Sequence, residues 1–76
     1  YSIADIETLR GWVGKDLKEL NLRKKYGVNV IAIKRDGALL INPPAEEPTQ
    51  QDDTFVLLGK NNTLKKIVNA YEAEKR

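Results

Sequence analysis

The apolar residues of this chain follow two spacings, one typical of strands and one typical of helices. Four segments have the strand pattern and are predicted as β-strands: residues 2–7, 28–35, 38–42 and 53–58. In the second and fourth of these strands the apolar residues occupy both faces, with Asn29 as the exception. Asp36 and Gly37, between the second and third strands, predict a tight hairpin turn.

Helical spacing of apolar residues predicts three helices: residues 15–20, 22–26 and 64–75. Asn21 is placed to cap the start of the second helix, and Gly27 is placed to end it in a left-handed conformation. The polar residues before the last helix are all candidate caps: Asn61, Asn62 and Thr63. Between the third and fourth strands, three prolines predict a loop: Pro43, Pro44 and Pro48.

The order of these elements predicts an α+β fold, a single small β-α-β-β-β-α sandwich that spans residues 1–76. Strands that are apolar on both faces need cover on both faces. The helices form two modest segments, residues 15–26 and 64–75, which cover only one face of a small sheet. We therefore expect a second copy of the chain to cover the other face in a two-fold dimer. The alternative is that the helices lie on opposite faces and the monomer closes itself.

The composition excludes several kinds of site. The chain has no Cys and no His, which leaves no disulfide, no zinc site and no thiol or imidazole for catalysis. We therefore expect a protein that is not an enzyme and holds no metal. The glycines match neither the dinucleotide-binding pattern nor the P-loop pattern. A net charge of +2 with 7% aromatic residues indicates a mixed surface and not a nucleic-acid-binding one.

The chain shows no sign of a membrane or export segment. No apolar run approaches the ~20 residues that a spanning helix needs, and no signal peptide is visible. The sequence begins at Tyr1 and contains no Met, so we interpret it as a piece of a longer protein. The expected location is the cytosol, with no direct insertion into a membrane.

Three features could form a small-molecule site, and each also has an ordinary structural explanation. The basic cluster at residues 23–25 is either a solvated helix end or a set of phosphate contacts. Asn29 either lies near a solvent-exposed edge or, beside a cleft, suits the edge of an adenine-like base. Pro43 and Pro44 are first of all a turn, and could also form a rigid apolar shelf for a flat ring.

The order and spacing of five short motifs resemble the C-terminal RCK domain, also called the TrkA-C domain, of bacterial potassium-transport regulators. The motifs are GKDLKEL at residues 14–20, LRKKYGV at 22–28, VIAIKR at 30–35, PPAEE at 43–47 and DTFVLLG at 53–59. The match covers nearly the whole chain. One departure is Asp52, where the family commonly has Gly; Asp tolerates a left-handed backbone better than most residues.

The resemblance implies a function that composition does not show. Domains of this family follow a nucleotide-binding domain in a cytosolic regulator, dimerise, and form part of a ring that docks on a membrane potassium transporter. The chain is similar to the Ktr-type regulators of Gram-positive bacteria. In those regulators the C-terminal domain binds cyclic di-AMP across the two-fold axis between two copies, and potassium uptake is inactivated.

The resemblance also implies a set of ligand-binding residues. Leu22 and Arg23 correspond to the apolar–Arg pair that opens the family's pocket, and Asn29 corresponds to an amide that contacts the adenine. Further lining positions are carried over from the family: Leu17, Lys18, Lys25, Pro43 and Pro44. A ligand with two phosphates and two adenines suits a two-fold interface, because each chain then supplies one Arg and one amide.

Two other functions remain open at this level. The domain could be a dimerisation module that binds no ligand, and a binding experiment distinguishes this case. It could instead be the regulatory domain of a cation/proton antiporter. These residues do not separate that case from a potassium-uptake regulator, because the distinguishing domains lie outside the sequence.

Overall fold

The order of elements that the pattern predicts is confirmed in the computed structural model, which describes residues 1–75 of the chain. The strands are β1 (Ser2–Glu7), β2 (Asn29–Arg35), β3 (Ala38–Ile41) and β4 (Thr54–Gly59). The helices are α1 (Leu17–Leu20), α2 (Leu22–Tyr26) and α3 (Asn61–Glu74), and a single 3₁₀ turn covers Arg10–Trp12. The fold class is therefore α+β, as expected.

The strands form one antiparallel sheet in the order β1-β4-β2-β3. The last strand of the chain lies between two others, so Phe55 of β4 pairs with Ile6 of β1 on one side and with Ile33 of β2 on the other. A bulge in β2 shifts its register against β4 between Val30 and Ala32. As a result, Val30 and Ile33 are three residues apart and still share one face of the sheet.

Two predicted turns are confirmed by left-handed backbone. Asp36 (φ 50°) and Gly37 (φ 78°) form the hairpin between β2 and β3, with the positive φ angles that such a two-residue turn requires. Gly27 (φ 71°) ends α2. The third strand ends at Ile41 and not at Asn42, because Asn42 is also left-handed (φ 49°) and turns the chain into the proline loop.

The predicted capping of α2 by the Asn21 side chain was wrong, and so were the predicted starts of α1 and α3. Asn21 is left-handed (φ 45°, ψ 50°), and its side chain makes no capping bond to α2. The first helix starts at residue 17 and not 15, because Asp16 and Glu19 form a reciprocal capping box there. Helix α3 begins at Asn61, since a backbone hydrogen bond to Lys60 already closes its first turn. The polar residues predicted as its caps therefore lie inside the helix.

The helices pack against one face of the sheet, which we call the inner face and define by Ile6, Ile33, Phe55 and Leu57. The buried core draws on every helix and comprises Ile6, Leu9, Trp12, Leu20, Leu22, Val28, Ile33, Phe55, Leu57, Leu64 and Ile67. The rings of Trp12 and Phe55 lie 5.2 Å apart between centroids, tilted by 57°. One core thus joins the helical segments to the sheet.

The opposite face of the sheet, the outer face, presents apolar side chains to solvent. Three of them are largely exposed: Ile3 (62%), Leu39 (54%) and Ile41 (64%). Val56 and Leu58 lie half-buried between them. Lys34 and Asp5 form an ion pair of 2.5 Å on this face. The helices of residues 1–75 therefore lie on one side, which contradicts the self-closed alternative; that a second copy covers the outer face stays a prediction.

Candidate ligand-binding site

A groove of about 530 Å³ lies where α1, α2, the start of β2 and the loop after β3 meet. It is lined by Leu17, Lys18, Asn21, Leu22, Arg23, Val28, Asn29, Val30, Pro43 and Ala45. Six of the eight predicted site residues are among them: Leu17, Lys18, Leu22, Arg23, Asn29 and Pro43. Segments that are distant in the sequence thus converge at one place.

The junction between the two short helices shapes one side of the groove. Asn21 turns the chain in a left-handed conformation, and its N–H donates to the Leu17 carbonyl oxygen at 2.9 Å. The chain therefore changes direction between two helices of one turn each, and both helices present residues to the groove. Leu22 is buried in the core (3% exposed), whereas Arg23 is exposed. The buried neighbour anchors the helix while the guanidinium stays available to a ligand.

The start of β2 forms the floor of the groove. Asn29 and Val30 pair with β4 on one side, but the pairing of β3 with β2 begins only at Ala32, after a bond from Asn42 N–H to the Ile31 carbonyl oxygen. Among the described strands, none covers the other edge of β2 at residues 29–30. Asn29 is exposed and also lines the groove. That it contacts the edge of an adenine-like base stays a prediction.

The groove borders the outer face of the sheet at Asn29. The cross-strand partner of Asn29 is Leu58, which in turn pairs with Ile3. Leu58 and Ile3 lie on the outer face, because Leu57 beside them is fully buried on the inner one. The candidate site therefore adjoins the outer face at Asn29.

The proline loop forms the remaining wall. Pro43 and Ala45 line the groove, and the Ala45 carbonyl oxygen accepts a hydrogen bond of 2.9 Å from the Lys18 N–H. Pro44 was expected in the site, but the structure does not place it there. It is exposed, and its carbonyl oxygen closes a turn with the N–H of Glu47. Of the two prolines, the groove lining thus includes only Pro43.

Lys25 was also expected in the site, and the structure places it elsewhere. It lines a separate depression of about 190 Å³ together with Trp12, Glu19 and Tyr26. Positions two residues apart in an α-helix are separated by about 200° around its axis. Lys25 therefore cannot share the side of α2 that carries Arg23. Of the basic cluster, the groove therefore contains Arg23.

The groove has the electrostatic character of an anion site. Lys18 and Arg23 line it, and no carboxylate does. Within residues 1–75, neither cation is engaged in an ion pair, so both can reach an anionic ligand. Four lining residues were not predicted: Asn21, Val28, Val30 and Ala45. The two valines could have been found as sequence neighbours of Asn29; nothing in the sequence marks the other two.

Two further observations concern residues 1–75 as a whole. No group of three or more potential ligands from Asp, Glu, His or Cys is placed to hold a metal ion. No helix there has the length and hydropathy to cross a bilayer.

Comparison with known proteins places these features in a family context. The model of the TrkA-C domain family matches residues 4–71. The Ktr system potassium uptake protein A of Bacillus subtilis (strain 168) is 32% identical over 69 residues, which cover 91% of this chain and 31% of that protein. The K(+)/H(+) antiporter subunit KhtT of the same organism is 40% identical over 60 residues, covering 78% and 36%. The chain thus spans about a third of these relatives.

A solved structure of similar fold is the RCK C domain of the potassium transport protein KtrA, in complex with cyclic diadenosine monophosphate. It superposes with a TM-score of 0.83 at 28% sequence identity. The match covers 90% of this chain and 80% of that one.

Proposed function

Because the chain belongs to the TrkA-C domain family, we propose that it is a regulatory, ligand-binding domain of a potassium-transport protein. Its role is recognition and not catalysis, since the chain has neither Cys nor His and the groove has no paired carboxylates. The rest of the protein is a cytosolic assembly that docks on a membrane potassium transporter, and this domain takes no part in nucleic-acid binding.

We propose cyclic di-AMP as the ligand. The observation that carries this proposal is the convergence in one groove of two cations that form no ion pair within residues 1–75, two amides and several apolar side chains. Arg23, helped by Lys18, contacts a phosphate, because a guanidinium offers forked donors to phosphate oxygens. Asn29 contacts the edge of an adenine with its amide, and Leu22 and Pro43 enclose the ring. The similar KtrA domain was solved with this nucleotide.

The proposed binding unit is a dimer of two such domains. Cyclic di-AMP is two-fold symmetric and has two phosphates, whereas one groove supplies a single Arg. A second copy on the outer face would bring its own groove to the ligand, because the groove borders that face at Asn29. The same contact would bury Ile3, Leu39 and Ile41, which a single chain leaves exposed.

Regulation follows from a difference in affinity between dimer arrangements. A ligand shifts an equilibrium only if it binds one arrangement more tightly than the other. We propose that cyclic di-AMP favours one arrangement of the two domains, that the attached nucleotide-binding ring changes with it, and that potassium uptake is thereby inactivated.

A second candidate is the regulatory domain of a cation/proton antiporter. The 40% identity to the KhtT subunit favours it, since that relative is part of a K(+)/H(+) antiporter. Both candidates can use the same groove and the same nucleotide. The transport activity of the complete protein distinguishes them. The ligand lowers potassium uptake if the protein is an uptake regulator, and it changes cation/proton antiport if the protein is an antiporter subunit.

The first test is isothermal titration of the purified chain with cyclic di-AMP, with cyclic di-GMP and ATP as controls. We expect selective binding of one cyclic di-AMP per two chains, at micromolar affinity or tighter. No heat, together with no thermal stabilisation at saturating nucleotide, would overturn the proposal and leave a ligand-free dimerisation module.

A further inference from the structure

Arg35, at the end of β2, holds two separate points of the loop that joins β3 to β4. Its Nε and Nη2 donate to the Asp53 carboxylate at 2.8 Å each, and its Nη1 donates to Glu47 Oε2 at 2.7 Å. Nη2 also lies 3.0 Å from the Pro48 carbonyl oxygen. The side chains of Arg35 and Glu47 are about one-fifth exposed, at 20% and 22%. The bond to Glu47 is therefore partly shielded from solvent.

The same loop carries the wall of the groove. Pro43 and Ala45 form this wall, and the Glu47 N–H closes a turn onto the Pro44 carbonyl oxygen at 3.0 Å directly after it. On the helix side, the Ala45 carbonyl oxygen accepts from the Lys18 N–H, a donor that the first turn of α1 leaves without an intrahelical partner. Pro44 and Ala45 are exposed. Polar bonds, more than burial, hold the wall in place.

We propose that Glu47 is a positioning residue for the ligand. Its bond to Arg35 holds the wall at residues 43–45 at the distance from α1 and α2 that the nucleotide requires. This inference rests on the proposed function, because it assigns a role within the same site. Glu47 is not part of the groove lining as the structure describes it, so its effect on the ligand is transmitted through the wall.

A purely electrostatic effect of Glu47 would have the opposite sign. A carboxylate near the groove repels an anionic nucleotide, so its removal alone would strengthen binding. A positioning role predicts that removal weakens binding, because the wall loses a tether. The direction of the change in affinity therefore separates the two explanations.

Glu46 offers a matched control. It is the neighbouring carboxylate on the same loop and is exposed, and it forms no ion pair with another of residues 1–75. Replacing Glu46 or Glu47 by Ala removes the same charge from adjacent positions. Only the second replacement removes a bond to Arg35.

The experiment measures cyclic di-AMP affinity and amide hydrogen exchange for the unmodified chain, Glu47→Ala, Glu47→Gln and Glu46→Ala. We expect Glu47→Ala to weaken binding about tenfold, as for loss of one charged hydrogen bond. Glu47→Gln recovers part of the loss, since its amide oxygen still accepts from Arg35. Glu46→Ala stays within about twofold. The Lys18 amide donates to the Ala45 carbonyl oxygen, and we expect its hydrogen exchange to be faster in Glu47→Ala than in the Glu46→Ala control. The melting temperature of Glu47→Ala should barely change, because Arg35 still forms both hydrogen bonds to Asp53.

The outcomes distinguish this inference from the proposed function. If the unmodified chain binds cyclic di-AMP and Glu47→Ala binds equally well or more tightly, the positioning role is overturned and the proposed function stands. If the unmodified chain does not bind, the proposed function is overturned and a role of Glu47 in affinity falls with it. Unchanged exchange at Lys18 in Glu47→Ala would overturn the tether in either case.

Discussion

Arg35 and Asp53 are joined by two parallel hydrogen bonds of 2.8 Å, from Nε to Oδ1 and from Nη2 to Oδ2. The planar guanidinium matches the carboxylate in this geometry. Asp53 is 1% exposed, and its Oδ2 also accepts from the Gln50 N–H at 2.9 Å. A buried charge is thus fully satisfied at the point where the end of β2 meets the start of β4.

We expect Asp53→Ala to lower the free energy of unfolding by about 2–4 kcal/mol, because the partly buried Arg35 loses its main partner. Urea denaturation monitored by circular dichroism measures the loss. The control is Asp52→Ala, which removes an exposed neighbouring carboxylate and should change stability by less than about 0.5 kcal/mol. Equal losses in both variants would contradict a specific role for the pair.

The pH dependence of stability should report the same pair. Burial raises the pKa of Asp53, but the bonds from Arg35 and from the Gln50 N–H outweigh it and hold the pKa below its ordinary value. As the pH falls, Asp53 is therefore protonated in the unfolded chain at a higher pH than in the folded chain. The stability from this group is complete above the ordinary pKa of about 4 and is lost as the pH falls towards the lower folded value.

Thermal unfolding between pH 7 and pH 3 tests this expectation. In the unmodified chain the melting temperature should fall across the acid part of the range. Asp53→Asn should have a lower melting temperature at pH 7, and this temperature should fall less steeply with pH, because the carboxylate that titrates is gone. Parallel curves for the two proteins would show that Asp53 is not a source of the acid sensitivity.

Gly59 is required by the close approach of Val28. A methyl group built on Gly59 would lie 2.6 Å from Val28 Cγ1, and Val28 is fully buried. We expect Gly59→Ala to destabilise the fold by about 1–3 kcal/mol through overpacking. Gly11→Ala is the control, since a methyl there meets nothing within 4 Å. In a Val28→Ala background, Gly59→Ala should lower the free energy of unfolding by less than it does in the unmodified chain. An equal loss in both backgrounds would show that the contact with Val28 is not its cause.

Arg23 and Lys25 carry the same charge two residues apart, but only Arg23 lines the groove. We expect Arg23→Ala to weaken cyclic di-AMP binding by about 1.5 kcal/mol or more, as for a charged hydrogen bond, with little change in melting temperature. Lys25→Ala should change affinity by less than about threefold, through long-range charge alone. Calorimetric titration of both variants measures this, and equal effects would remove the assignment of Arg23 to a phosphate.

The outer face should be the surface on which two copies associate. We expect Ile41→Lys to shift the chain from dimer to monomer in sedimentation, because it places a charge in an apolar contact. Val13→Lys is the control, since Val13 is also an exposed apolar residue (44%) but lines a different depression, with Arg10 and Tyr71. If Ile41→Lys remains a dimer as the unmodified chain does, another surface forms the interface.

Local signals in the sequence predicted most elements of the fold. Asp36 and Gly37 predicted the hairpin, and Gly27 predicted the end of α2, because each of these conformations depends on one or two residues. The starts of the helices were less predictable. Asn21 and Asn61 are both good caps by type, yet the first lies in a left-handed junction and the second inside a helix. A side chain that can cap does so only if it lies at a helix start and its backbone is extended there, as at Asp16 but not at Asn21.

The sequence by itself determined the strands, the tight turns and the residue types available for a site. The tertiary structure decided that the helices share one face, that Leu17 and Pro43 meet Asn29 at one groove, and that Lys25 lies outside it. The physical reason is the distance along the chain over which each effect acts. Periodicity and turn chemistry act within a few residues, whereas the walls of a groove are set by the packing of segments that lie far apart in the chain.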